Sequence, residues 1–139
     1  MLLRLKVRRA RRDDFERVRA LLGVDAPALR ADRKRFRRLV STLREDCYLA
    51  ECPEDAALVG LALITYVRGL GPPTAVVRRL TGTSDATMAL LDCARARAAA
   101  RGCTRLEIQL EPGAESADAA GFLAGWREGP RTLVQALDE

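Results

Sequence analysis

The sequence contains no histidine. That absence removes the one side chain whose ordinary titration falls near neutrality, and with it the Ser/His/Asp and Cys/His nucleophile pairs. Any catalysis must use carboxylates, tyrosines, backbone groups or water. Four cysteines, Cys47, Cys52, Cys93 and Cys103, form no CxxC pair. A zinc site would need all four thiolates at irregular spacing, so ordinary free thiols are expected and no metal. Aromatics are scarce: Tyr48 and Tyr66 are the only tyrosines and Trp126 the only tryptophan. All three are expected to pack in or against the core. No stretch reaches the roughly 20 apolar residues of a membrane span. The apolar part of "MLLRLKVRRARRDD" is too short for a signal peptide. No Ser/Gly-rich or Pro-rich linker divides the chain. The expectation is one cytoplasmic domain over residues 1–139 with no membrane contact.

Charge is plentiful and uneven. Residues 1–44 carry 15 Lys and Arg against 5 Asp and Glu, whereas residues 45–139 carry 9 against 14. The clusters "RRARR" and "RADRKRFRR" could meet nucleic acid, yet no aromatics are interleaved for base stacking, and Phe36 and Leu39 suit the buried stripe of an amphipathic helix. A solvated helix face is the reading for both clusters, and nucleic acid is not an expected partner.

Periodicity supplies the order of elements. Leu3, Leu5 and Val7 alternate with Arg4 and Lys6, so residues 2–7 read as a half-buried strand. Asp13 and Asp14 precede a helix with Phe15, Val18, Leu21 and Leu22 on one side, and Gly23 stops it. A second helix begins near Pro27 and carries Leu29, Phe36, Leu39, Val40 and Leu43. "CYLAEC" and "ALVGLALITYVRG" form a hairpin across "PEDA", and "TAVVRRL" is a fourth strand. After the turn comes a helix from about Asp85 to Arg101, ended by Gly102, and then a fifth strand in "TRLEIQLE". A short helix over residues 116–124 and a strand "RTLVQAL" close the chain. The turn "TGTSDATM" has a structural reading of its own, with Ser84 capping the helix and Asp85 complementing its dipole.

This order resembles the GNAT (Gcn5-related N-acetyltransferase) superfamily over the full length. "VRRARRDDFERVRALLG" is similar to its opening strand and helix, "ALVGLALI" to its third strand, "ALLDCARARAAARGCTRLEI" to its central helix and strand, and "GWREGPRTLVQAL" to its close. The resemblance implies an α/β (α+β) fold with a mixed central sheet of about six to seven strands, about four helices on both faces, and strands four and five splayed. It implies acetyl-CoA as cosubstrate, transfer of its acetyl group by direct attack of a primary amine on a small molecule or protein, and frequent homodimers. The pantetheine arm would lie on the edge of Val76, Val77, Arg78 and Arg79, and the pyrophosphate in the turn Gly82, Thr83, Ser84, Asp85, Ala86, Thr87 and Met88.

The turn departs from the family's Arg/Gln-x-x-Gly-x-Gly/Ala. Anchored on Ala89, Leu90 and Leu91, the three defined positions fall on Gly82, Asp85 and Thr87. Slid onto Arg79, Gly82 and Ser84 the text matches better, but the turn must be three residues longer. A carboxylate about 6 Å from a phosphate, at an effective dielectric of about 20, repels it by about 3 kcal/mol. The family's last-helix tyrosine, its general acid, is also missing from "AAGFLAGW", and as "TAVVRRL" holds no carboxylate, Glu107 and Glu111 on or beside the fifth strand are the candidates for base. The alternative is a GNAT-fold module that binds a partner without catalysis. The net acidity of the chain beyond residue 44 is compatible with a cationic amine, and the sequence leaves the acceptor open.

Overall fold

The sheet is built around a hairpin whose two strands are buried on both faces. In a computed structural model, residues 4–23, 29–109, 125–127 and 135–137 are described. They form strands β1 (Lys6–Arg9), β2 (Glu45–Glu51), β3 (Leu58–Val67), β4 (Thr74–Gly82) and β5 (Arg105–Ile108). The helices are α1 (Phe15–Leu22), α2 (Leu29–Ser41) and α3 (Ser84–Ala100), with a 3-10 turn at Arg12–Asp14 leading into α1. Strand order follows chain order; β1 to β4 pair antiparallel and β4 pairs parallel with β5. This is the mixed sheet expected, with five strands and three α-helices among the described residues. The closing helix and most of "RTLVQAL" lie outside them, and Gln135–Leu137 are not in a strand.

Side-chain alternation along each strand separates two cores. Cys47, Leu49, Leu61 and Leu63 face α1 and α2, where they meet Phe15, Val18 and Phe36. Ala50, Ala62, Ile64 and Val77 face α3, whose Ala86, Leu90, Leu91, Ala94 and Ala98 are buried against them. The small residues set the spacing. A Cβ at Gly60 would stand 2.8 Å from the Ala86 Cβ, so the "VG" of β3 is what lets the start of α3 lie on the sheet. Gly23, at φ 65°, and Gly102, at φ 78°, end α1 and α3 as expected.

Three local expectations are corrected. The first strand lies at Lys6–Arg9, because its ladder runs from Lys6 opposite Glu51 to Arg9 opposite Tyr48, and Leu5 packs beside it without joining. Leu43 is 78% exposed, because α2 ends at Ser41 and its buried stripe ends with it. "RADRKRFRR" is the solvated helix face expected, with Arg33, Lys34, Arg35, Arg37 and Arg38 all exposed, whereas "RRARR" is not. Arg8 and Arg9 sit on β1 and reach buried carboxylates on either face of the sheet.

Candidate functional site

Two irregularities meet at one point of β4. On its β3 side, Leu63 faces Arg79 and Ile64 faces Val77, so Arg78 is an extra, bulged residue. On its other side β5 holds only Thr74 to Val77, and the last rung is the Gln109 N–H donating to the Val77 carbonyl at 2.9 Å. Beyond that rung, Arg79 to Gly82 pair with β3, and Arg78 to Gly82 have no strand on the other side among the described residues. Among the described residues, pairing with β5 therefore ends where the bulge re-aims the backbone. An open edge of this kind offers backbone donors and acceptors to an extended ligand. Of the residues expected to supply that edge, Val76 and Val77 are held by β5, and Arg78 and Arg79 lie beyond it.

The turn into α3 is a single residue long. β4 runs to Gly82, where φ is 136° and a Cβ would lie 2.3 Å from the Val59 carbonyl oxygen, so only glycine fits there. Thr83 follows, its N–H donates to Val59 O, and its hydroxyl accepts from the Ala86 N–H at 3.2 Å. Thr83, not Ser84, is thus the helix cap, because the strand continues two residues past Leu80 and the helix starts directly after the bend. Asp85 and Met88 are exposed, while Ala86 and Thr87 are buried and the Thr87 hydroxyl donates to Ser84 O. A turn three residues longer, which the Arg79/Gly82/Ser84 match needs, does not exist. With Ala89, Leu90 and Leu91 as anchor, the family's phosphate loop maps onto one strand residue, one cap and the first helical turn.

The face under α1 and α2 is different in character. Glu107 lies there, opposite Val76, because Leu106 and Ile108 point to the α3 core. Its carboxylate pairs with Arg105 at 3.0 Å. Glu111 lies outside the described residues. Between α1, α2 and the sheet is a cavity of about 740 Å³ with Cys47, Leu61 and Leu63 as floor and Arg79 on its β4 wall. That volume is in the range of small-molecule sites.

Both tyrosines lie on the opposite face, in the α3 core. Tyr66 donates to Asp46 at 2.6 Å under the guanidinium of Arg101, 4.1 Å from the ring. Burial, and then the Asp46 carboxylate, push its phenol well above the usual tyrosine range. It is a locked structural hydroxyl and no proton donor for the open edge. Trp126 packs on the same core with Arg95 over its ring. All four cysteines are free thiols, and no cluster of potential metal ligands occurs among the described residues.

Two charge clusters were invisible to sequence reading. Asp46, fully buried, meets Arg9 at 2.7 Å, Arg97 at 3.7 Å and Arg101 at 3.8 Å, which ties α3 to β1 and β2. Arg8 chelates Asp14 at 2.7 and 2.8 Å and also bonds Glu51. Asp14 in turn accepts the Arg11 N–H, so this cluster fixes the entry into α1. The only sequence signal was a pair of acids at a helix start.

No protein-family model matches the chain, and no curated protein matches it. Solved structures match over nearly the whole length. A transcriptional regulator from Bacillus halodurans C-125 superposes with a TM-score of 0.80 at 16% identity, covering 96% of this chain and 100% of its own. An acetyltransferase of Trypanosoma brucei gives 0.77 at 16% identity, with the same coverages of 96% and 100%. A ribosomal-protein-alanine N-acetyltransferase from Brucella melitensis biovar Abortus 2308 gives 0.74 at 16% identity, covering 97% and 99%. The chain has the fold of the GNAT acetyltransferases. Among the described residues no helix is long and apolar enough to cross a membrane.

Proposed function

We propose that the protein is an acyl-CoA-dependent N-acyltransferase that moves an acetyl group from acetyl-CoA to a primary amine. The observation that carries this reading is the coincidence of the Arg78 bulge with the last β4–β5 rung, which leaves the Arg78–Gly82 edge open. That edge fits an amide-bearing arm such as pantetheine, which can pair with it as a further strand would. Acetyl-CoA supplies a thioester, whose acyl carbon takes the amine nitrogen as its carbon–sulfur bond breaks, the amine's proton leaving with the thiol. Backbone donors of the bulged segment polarise the acyl oxygen. Glu107, next to β4 and on the acceptor face, is the base candidate, acting directly or through water.

A second reading, a binding module without catalysis, is favoured by the turn. Thr83 already satisfies one of the helix-start donors, and Asp85 puts an acid where an anionic pyrophosphate would come. Calorimetric titration with acetyl-CoA, followed by thiol-release assays with a panel of amines, separates the two. Binding and amine-dependent thiol release support the transferase; absence of acetyl-CoA binding at millimolar concentration refutes it.

A further inference from the structure

The cavity under α1 and α2 has a distinctive division of chemistry. Its interior is apolar, formed by Phe15, Phe36, Leu39, Leu61 and Leu63. Its charged lining consists of five arginines against two carboxylates, Asp32 and Glu45. Arg35 is already paired with Asp32 at 3.0 Å. Arg38, Arg44 and Arg79, from α2, the start of β2 and the bulged end of β4, have no ion pair among the described residues. All three line this cavity and are exposed.

A further polar group stands beside the floor, outside the cavity lining. Thr65 follows Leu63 by two residues on β3 and therefore shares its face, opposite the lining residue Glu45. Its hydroxyl is buried with no hydrogen-bond partner among the described residues. A buried hydroxyl costs stability unless something bonds to it. In the same cross-strand row Thr65 faces Val76, and Val76 faces Glu107, so the row leads from beside the cavity floor to the point where pairing of β4 with β5 ends.

From these observations we infer that the cavity binds an apolar primary amine that also carries a carboxylate, as a free amino acid with a large apolar side chain does. The apolar body fills the space between α1, α2 and the sheet, and the carboxylate meets the arginines. Resting on the transferase reading above, this ligand is the acyl acceptor. Four of the five lining arginines come from the first 44 residues, the basic part of the chain.

The test is calorimetry with L-phenylalanine, phenethylamine and L-serine, alongside a separate acetyl-CoA titration of the same protein. Phenylalanine is expected to bind roughly tenfold or more tightly than phenethylamine, which lacks the carboxylate, and serine, which lacks the apolar body, should bind more weakly still. In the double variant Arg44→Gln, Arg79→Gln, phenylalanine should lose that advantage while phenethylamine binds at least as well as to the parent, which also certifies the fold. Equal binding of phenylalanine and phenethylamine, or equal loss of both in the variant, overturns the inference. So does a protein that binds acetyl-CoA but none of the apolar ligands. Phenylalanine binding without acetyl-CoA binding refutes the transferase reading instead and leaves the ligand class standing.

Discussion

Replacing Asp85 by glycine or asparagine isolates the feature of the turn most at odds with an anionic ligand. Asp85 is the second residue of α3 and exposed. Its carboxylate favours the helix dipole by about 0.3–1 kcal/mol, and glycine adds a backbone entropy cost of up to about 1 kcal/mol. Asp85→Gly should therefore lose about 1 kcal/mol and about 3–4 °C of melting temperature without ligand. A phosphate about 6 Å from the carboxylate is repelled by about 3 kcal/mol at an effective dielectric of 20 but only by about 0.7 kcal/mol in bulk water. Exposure puts Asp85 near the lower value, so the sequence-based figure of about 3 kcal/mol is too large. Removing the charge should strengthen acetyl-CoA binding roughly three- to tenfold at low salt, and less at high salt. Asp85→Asn should give the same gain with a smaller loss of stability, because it keeps a side chain able to bond at the helix start. Melting curves and calorimetry at two ionic strengths, with and without acetyl-CoA, measure both effects. Unchanged affinity in both variants at low salt would refute the electrostatic reasoning, and no binding in any of the three proteins would refute the transferase.

The Asp46 hub predicts that Asp46→Ala costs about 2–4 kcal/mol in urea unfolding, since it leaves three arginines without their shared carboxylate. Tyr66→Phe should cost about 1 kcal/mol, and the two changes should add to less than their sum because they delete one bond between them. The Arg8 hydrogen bond holds the Asp14 carboxyl below its ordinary range, so the stability it brings is present above about pH 4, the unfolded value, and drains away as pH falls through the lower folded value. Asp14→Asn should be less stable than the parent at pH 7 and lose less on acidification, measured as unfolding free energy between pH 7 and 2. Burial pushes the Cys47 thiol up to about 12, so under non-reducing alkylation the three partly exposed cysteines should label first and Cys47 only on unfolding. Fewer than four labels on the unfolded chain would contradict four free thiols.

What the sequence revealed and what it hid divide along range. Gly23 and Gly102 stop helices by a local backbone property, and the alternation of Leu106 and Ile108 with Glu107 is local as well, so α1, α3 and β5 were legible to within a few residues. The placement of β1 at Lys6–Arg9 is of another kind. Leu5 and Val7 both pack on the α3 core, but only a ladder against Tyr48–Glu51 decides which residues of the segment are strand. Likewise Arg8 and Arg9 read as solvated charge because Glu51 and Asp46 stand about forty positions away in sequence, beyond the reach of any local pattern. The bulge at Arg78 follows the same rule, since nothing in "AVVRRL" says that Leu63 and Ile64 will skip a residue.

The two departures from the family pattern have different structural weight. Where the GNAT pattern that the sequence resembles has a last-helix tyrosine, this sequence has none, and water can take the place of such a proton donor. Loss of the phosphate loop is built into the backbone: Gly82 is forced by Val59 and Gly60, Thr83 is committed to Ala86, and Ala86 itself is locked against Gly60. The one-residue turn is therefore a consequence of how closely α3 sits on β3, and a single substitution cannot reopen it. What remains adjustable is its charge. If acetyl-CoA binds, the open edge at Arg78–Gly82 must supply most of the affinity, and the pyrophosphate correspondingly little. Truncated pantetheine thioesters lacking the nucleotide should then compete with acetyl-CoA far better than a phosphate-cradling turn would allow, because the turn has so little grip left to lose.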